Sequence, residues 1–139
     1  WCDTASYDKL CLMMFSGMTF CLILYMVLPN GLDIRPTAEA VGRDNLAMTI
    51  MKMLWSADAS VNVCPSIHCQ SSGCMALAFS QSRLAKDRPG WKVLAWVWAG
   101  LICASTVFTK QHSIIDVLCG LALVAVWVPV LYRPAKAKT

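Results

Sequence analysis

Charged residues are scarce in this chain, and their scarcity excludes an ordinary soluble domain. Asp, Glu, Lys and Arg make up 14% of the 139 residues and hydrophobic residues 58%, whereas about 25% of a soluble domain is charged. The mean hydropathy is +0.56. The net charge of +4 comes without a Lys/Arg-rich stripe interleaved with aromatics, so we expect no nucleic-acid partner. The composition therefore predicts an integral membrane protein.

A disulfide framework and a familiar metal site are also missing. The spacing of the cysteines shows neither paired positions nor a CxxC motif, so they are interpreted as small buried thiols. Cys64, His68 and Cys69 fit no known zinc spacing, and we expect neither a metal nor another cofactor. The eight cysteines are at positions 2, 11, 21, 64, 69, 74, 103 and 119.

Four long runs carry no acidic or basic residue, at positions 10–32, 59–82, 93–109 and 117–132. A bilayer-spanning helix needs roughly 17 to 25 mostly apolar residues. We therefore predict an all-α membrane bundle, a single domain over 1–139, with spans at about 10–28, 66–82, 93–109 and 116–132. The chain starts at Trp1 rather than Met, and its first run is too long for a signal peptide, so we expect upstream helices to be missing.

Turn-forming residues predict where these elements begin and end. Pro29, Asn30 and Gly31 should end the first span, and Asp44 is a plausible N-cap for a short helix at about 45–56. That helix is too short to cross a bilayer and is expected to lie in the interface. Pro65 is expected to open the second span, whose small residues predict a central position in the bundle.

The distribution of Lys and Arg predicts the orientation, because these residues are retained on the cytoplasmic side. One membrane face carries Lys9, Arg83, Lys86, Arg88, Lys92, Arg133, Lys136 and Lys138, and the other carries Arg35, Arg43, Lys52 and Lys110. The first face should be cytoplasmic, with the tail at 133–139 anchoring to anionic lipid. The segments 28–36, 64–69 and 105–116 should then meet at the opposite face.

Those three segments contain both histidines of the chain. His112 and Asp116 are four residues apart, so on one helix they share a face, and the carboxylate can hold one ring nitrogen protonated while the other attacks. The same spacing is also common in structural salt bridges. Ionisable groups at membrane depth are costly and tend to be functional, which favours His112 as a nucleophile.

The start of the second span has the features of an anion site. Ser66 and His68 lie where free N–H groups and the helix dipole favour negative charge. His68 is placed to protonate a leaving oxygen, although Ser66 as a simple cap and His68 as an interfacial side chain fit equally well. Arg35 could grip phosphate oxygens or be merely solvated.

Together the segments resemble the three signature blocks of the type-2 phosphatidic acid phosphatase superfamily. Those blocks are Lys, six residues, Arg-Pro; Pro-Ser-Gly-His; and Ser-Arg, five residues, His, three residues, Asp. The matching residues here are Arg35-Pro36, then Pro65, Ser66 and His68, then Ser105, His112 and Asp116.

The resemblance implies a metal-independent phosphatase acting on a membrane phospholipid or isoprenyl phosphate, with the site at the non-cytoplasmic face. His112 would form a phosphohistidine, Asp116 would orient it, and His68 would protonate the departing alcohol. The phosphate-binding set implied is Arg35, Ser66, Ile67, Ser105, Thr106 and Lys110. Alternatives are a lipid phosphotransferase similar to the sphingolipid synthases and a non-catalytic lipid-binding membrane protein.

This chain departs from the family pattern at three positions. Leu28 replaces the Lys, Ile67 the Gly and Thr106 the Arg. Loss of two cations weakens stabilisation of a phosphate oxyanion, where one donor can contribute about 3 kcal/mol. Lys110 could compensate only if the helix breaks near Gln111, because residues two apart on a helix point to different sides.

Overall fold

The structure, a computed structural model, describes residues 3–43 and 45–132, without the side chains of residues 38 and 39. All its regular elements within this part of the chain are α-helices, which confirms the predicted all-α class. The only strand-like feature there is an isolated bridge between Gly31 and Val61. The helices are α1 Thr4–Val27, α2 Ala38–Val41, α3 Leu46–Ala57, α4 Ile67–Gln81, α5 Pro89–Phe108 and α6 Ile114–Leu131.

Three helices, α1, α5 and α6, are long and apolar enough to cross a membrane. Much of their apolar surface is exposed, including Phe15 at 70%, Met26 at 84% and Phe108 at 82%. Such surfaces are disfavoured in water and are the normal exterior of a helix in lipid. Together with the length of the helices, they indicate a membrane protein.

The fourth predicted span, 66–82, is not confirmed. Its helix α4 has 15 residues, which corresponds to about 22 Å of rise, against about 30 Å of bilayer hydrocarbon. It also carries Gln70, Ser71 and Ser72 in its interior. These polar side chains lower its hydropathy, so the run without charges is less apolar than its length suggests.

The predicted central position of α4 is confirmed, because it packs against α1, α5 and α6. Glycines allow the close approach on one side. A Cβ atom at Gly73 would lie 2.8 Å from the Val124 side chain, and one at Gly120 would lie 2.6 Å from the Ser66 carbonyl oxygen. The prediction of buried thiols is confirmed for Cys21, Cys69, Cys74 and Cys103, whereas Cys11, Cys64 and Cys119 are half-buried.

Two prolines lie close to helix starts. Pro89 occupies the first turn of α5, where its missing N–H costs nothing. Pro65 does not open α4, which begins at Ile67 after the N-cap Ser66. The helix starts there because the Ser66 hydroxyl accepts a hydrogen bond from the Cys69 N–H, which satisfies a first-turn donor.

The short helix α3 lies between α1 and α4 in the chain. The predicted cap Asp44 lies outside the described residues, and the side chain of Asn45 caps α3 by accepting a hydrogen bond from the Met48 N–H at 2.9 Å. Leu46, Ile50 and Met53 are 77%, 57% and 67% exposed. The apolar side of α3 therefore faces away from the bundle, as an interfacial helix would require.

Asn30 joins the loop after α1 to the loop before α4. Its side-chain oxygen accepts hydrogen bonds from the N–H groups of Val63 and Cys64 at 2.8 and 2.9 Å. Its side-chain nitrogen donates to the Cys64 carbonyl at 2.9 Å. The end of α1 and the beginning of α4 are thus held at the same end of the bundle, where α5 also ends and α6 begins.

Candidate functional site

The two histidines of the chain meet at this end of the bundle. His68 Nδ1 lies 3.3 Å from His112 Nε2, and the ring centroids are 5.5 Å apart with the planes tilted by 59°. His68 is exposed, whereas His112 is only 5% exposed. The pair thus combines a buried ring with one that a ligand can reach from outside.

His112 lies in the turn that connects α5 with α6. α5 ends at Phe108, and Lys110 adopts the left-handed conformation with φ of 59°. The Thr106 carbonyl accepts hydrogen bonds from the backbone N–H groups of Gln111 and His112 at 3.0 and 3.1 Å. The backbone of the catalytic candidate is thereby attached to the last turn of α5.

His112 and Asp116 do not lie on one helix. α6 begins at Ile114 after the N-cap Ser113, so His112 precedes the helix. The turn still brings the two side chains together, with His112 Nδ1 3.9 Å from Asp116 Oδ2. That nitrogen is buried and has no hydrogen-bond partner among the described residues.

Asp116 also has a structural role. Its carboxylate accepts a hydrogen bond from the Ser113 N–H at 2.6 Å, and its own N–H donates to the Ser113 hydroxyl at 3.3 Å. This reciprocal pair is a capping box. The structural and functional interpretations therefore coexist, since the carboxylate that caps α6 is also the acidic group beside His112.

The environment of His112 favours its neutral form. Burial lowers the pKa of His112, and the neighbouring His68 ring lowers it further, while the carboxylates of Asp116 and Asp58 oppose the shift. A neutral imidazole has one nitrogen lone pair available. This is the protonation state that a nucleophilic histidine needs.

The first turn of α4 presents unpaired backbone donors beside His68. The N–H groups of Ile67 and His68 donate to no acceptor in the part of the chain that the structure describes, as expected for the first turn of a helix. Ser66 is fully buried, and its own N–H donates to the Asp116 carbonyl at 3.0 Å. Ser66 therefore links α4 to α6 as well as capping α4.

Arg35 is not a solvated loop residue. Its Nη1 donates to the carbonyl oxygens of Trp55 and Asp58 at 3.0 and 2.5 Å, and its Nε donates to the Lys110 carbonyl at 3.3 Å. Its Nη2 lies 3.6 Å from the Asp58 carboxylate and is buried without a hydrogen-bond partner in the described residues. Arg35 is thus fixed beside the His112 turn with one donor unused.

The remaining predicted phosphate-binding residues are not all brought to the histidines. Ser105 is exposed, and its hydroxyl donates to the Ile102 carbonyl at 2.7 Å. Thr106 is 4% exposed, and its hydroxyl donates to the Cys103 carbonyl at 2.8 Å. The helix break that Lys110 required is present, but the Lys110 side chain is exposed.

Sequence reasoning missed three residues that hold this site. Trp55 donates its indole N–H to the Thr109 carbonyl at 2.7 Å. Gln111 is 8% exposed and donates to the Asp58 carboxylate at 2.9 Å. The available signals in the sequence were Gln111 next to a histidine and an isolated Asp58 after a helix. Neither position alone identifies a hydrogen-bond partner.

Comparison with known proteins agrees with the resemblance seen in the sequence. The family model of the PAP2 superfamily, the type-2 phosphatidic acid phosphatases, matches residues 9–139. No curated protein matches the chain, and no solved structure matches it. The match covers nearly the whole chain, including both histidines and all six helices except the start of α1.

Proposed function

The chain belongs to the PAP2 superfamily, whose members have phosphatase-type activity on phosphate esters, and we propose that it hydrolyses a membrane lipid phosphate or diphosphate through a phosphohistidine. The observation that carries this proposal is the 3.3 Å approach of His68 Nδ1 to His112 Nε2. One ring is buried and favoured in its neutral form, and the other is accessible, as a nucleophile and a general acid require.

In the proposed reaction, His112 Nε2 attacks phosphorus and the bond from phosphorus to the alkoxy oxygen breaks. His68 transfers a proton to the departing oxygen. Water then attacks the phosphohistidine, His68 accepts a proton from that water, and inorganic phosphate leaves with His112 regenerated. Asp116, 3.9 Å from Nδ1, favours the tautomer with its proton on that nitrogen and stabilises positive charge on the ring.

Donors around the histidines support binding of the phosphate. The N–H groups of Ile67 and His68 are unpaired in the described structure, and Arg35 Nη2 is a buried donor without a hydrogen bond. Hydrogen-bond donors held in advance of the reaction stabilise developing negative charge most effectively. No step in this scheme uses a metal ion.

The lipid substrate and the orientation are further parts of the proposal. α1, α5 and α6 can cross the membrane, and α4 would be the fourth, shorter span among them. Among the described cations, Lys9 lies near the start of α1 and Lys92 near the start of α5. Arg83, Lys86 and Arg88 lie between α4 and α5, at the same end of the bundle. The positive-inside rule assigns that end to the cytoplasm, which leaves the histidines on the non-cytoplasmic side.

One observation favours the non-catalytic alternative. Leu28 and Thr106 stand where the family has cations, and the buried hydroxyl of Thr106 is used within its own helix. A lipid-binding protein that lost activity would retain the fold and discard such charges. Against this, His68, His112 and Asp116 are all present and close together.

The test is phosphate release by the full-length protein in detergent, with phosphatidic acid and an isoprenyl diphosphate as substrates and EDTA throughout. We expect release by wild type, loss with His112→Ala and retention with the matched control Ile114→Ala, whose side chain is exposed next to the turn. Rapid quenching should trap an acid-labile, base-stable phosphoryl group on wild type and on Ile114→Ala, but not on His112→Ala.

The same assay separates the alternatives. Transfer of the phosphoryl group to an added lipid alcohol, in place of release to water, would support the phosphotransferase. No release and no transfer by folded wild-type protein would contradict the catalytic proposal and favour the lipid-binding alternative.

A further inference from the structure

Asp58, the residue that follows α3, contacts both Arg35 and the turn that carries His112. Its carboxylate oxygen Oδ2 accepts a hydrogen bond from Gln111 Nε2 at 2.9 Å and lies 3.6 Å from Arg35 Nη2. Its backbone carbonyl accepts a second contact from the same guanidinium, through Nη1 at 2.5 Å. Gln111 immediately precedes His112 in the chain, so one carboxylate connects the arginine with the nucleophile's turn.

The turn at 109–112 depends on contacts from outside. Lys110 has φ of 59°, a region that non-glycine residues adopt uncommonly. The Thr109 carbonyl accepts from the Trp55 indole at 2.7 Å, and the Lys110 carbonyl accepts from Arg35 at 3.3 Å. Among the described residues, Asp58 provides the only side-chain hydrogen bond to Gln111 from another segment.

We propose that Asp58 is a positioning residue of this site: its carboxylate aligns the Arg35 guanidinium for phosphate and, through Gln111, holds the turn that presents His112. This rests on the proposed phosphatase function. The geometry is suited to it, because Asp58 pairs with Nη2 at 3.6 Å without satisfying that donor's hydrogen bond. The guanidinium is therefore oriented while one N–H remains for a phosphate oxygen.

The negative charge of Asp58 also affects the pKa of His112. The titratable groups that act on the His112 ring are His68 from α4, Asp116 from α6 and Asp58 after α3, with Arg35 paired to Asp58. The backbone of Val63 also raises the pKa of His112. Burial and His68 lower the pKa of His112, and the Asp58 carboxylate raises it by attraction. Removing that negative charge should therefore lower the pKa of His112 further, an effect that a purely structural contact would not produce.

Two substitutions separate the charge from the hydrogen bond. Asp58→Asn keeps an acceptor for Gln111 but removes the charge opposite Arg35. Gln111→Met keeps the buried volume and leaves Asp58 charged, but removes the hydrogen bond to Asp58 together with the one from the Thr109 hydroxyl. Asp33→Asn is the matched control, since Asp33 is an exposed residue two positions before Arg35.

The experiment measures kcat and KM against pH, and inhibition by inorganic phosphate, for the full-length wild type and these variants in one detergent. We expect Asp58→Asn to lower kcat/KM about tenfold or more, since small misplacements of reacting groups have effects of this size or larger. Its phosphate inhibition should weaken, and the acid limb of its kcat/KM profile should move to lower pH. Gln111→Met should lower kcat without moving that limb, and Asp33→Asn should match wild type.

Wild-type values of kcat/KM, phosphate inhibition and acid limb in a folded Asp58→Asn protein would overturn the positioning role while leaving the phosphatase function intact. If Asp58→Asn does not fold, an unchanged kcat in folded Gln111→Met would overturn the role by itself. Failure of wild type to release phosphate is a distinct outcome and would overturn the proposed function on which this role rests.

Discussion

The carboxylate of Asp116 lies 3.9 Å from His112 Nδ1 and at the same time accepts a hydrogen bond from the Ser113 N–H at 2.6 Å. One side chain thus serves the start of α6 and the proposed nucleophile. Because these roles depend on different properties of the carboxylate, substitutions can separate them.

Asp116→Asn should abolish most activity with little change in thermal stability. The amide oxygen can still accept from Ser113, but the charge that stabilises a positive His112 ring is lost, and the analogous change in a serine-protease triad lowers kcat about ten-thousandfold. We expect at least a hundredfold fall in kcat here, by analogy with that triad. Kinetics and thermal unfolding of the same preparation would check this.

Ser113→Ala is the complementary change. It removes the hydroxyl that accepts the Asp116 N–H and should destabilise the protein by about 1 kcal/mol. Equal losses of activity in both variants, in proportion to unfolding, would show that Asp116 acts through stability alone.

The pH dependence of activity should reflect the environment of His112. Its pKa is lowered by burial and by His68, so the acid limb of kcat/KM should lie below the ordinary histidine value of about 6.5. NMR titration of labelled histidine should give the same result. His68→Gln should raise the pKa of His112, and an unchanged value in that variant would contradict the contact between the rings.

The same shift has a consequence for stability. Because the folded-state pKa of His112 lies below the unfolded-state pKa, the unfolded chain binds more protons as pH falls. This group therefore destabilises the fold progressively below about pH 6.5 and has no such effect above it. Denaturation of wild type and His112→Gln should be measured across this range. The difference between their free energies of unfolding should be constant near neutral pH and should change below about pH 6.5.

Gly120→Ala should lower activity by displacing the start of α4, although Gly120 itself takes no part in the proposed reaction. The new Cβ would lie 2.6 Å from the Ser66 carbonyl oxygen, so α4 must shift away from α6 at the residue that precedes Ile67 and His68. Such overpacking typically costs about 1–3 kcal/mol. We expect lower thermal stability and lower kcat.

Gly100→Ala is the matched control, because a Cβ at Gly100 meets nothing within 4 Å. It should leave activity unchanged and can stabilise α5 by up to about 1 kcal/mol. Similar losses in both glycine variants would contradict the close packing at Gly120.

The missing family cations should not be equally easy to restore. Leu28 is 61% exposed, and Leu28→Lys should be tolerated and should tighten phosphate binding if this position faces the site. Thr106 is 4% exposed, and its hydroxyl donates to the Cys103 carbonyl, so Thr106→Arg should destabilise the protein. Phosphate inhibition constants and melting temperatures would distinguish the two, and a stable Thr106→Arg with improved activity would refute this assignment.

Local patterns in the sequence were enough to determine the helical class, three helices long and apolar enough to span a membrane, and the central position of α4. Apolar runs indicate segments that favour lipid over water, and α1 ends with the C-cap Leu28 because the following Pro29 disfavours the helical conformation of the residue before it. Spacing also indicated that His68, His112 and Asp116 belong to one site. These properties follow from neighbouring residues or from the number of times the chain crosses the bundle.

Tertiary structure alone decided how that site is held. Arg35, Asp58 and Gln111 are separated by 23 and 53 residues along the chain, and no periodicity relates them. Their contacts arise because α3 ends beside the turn between α5 and α6, a placement set by packing and loop geometry. For the same reason, only the folded chain shows that a single carboxylate, Asp116, both caps α6 and faces the histidine.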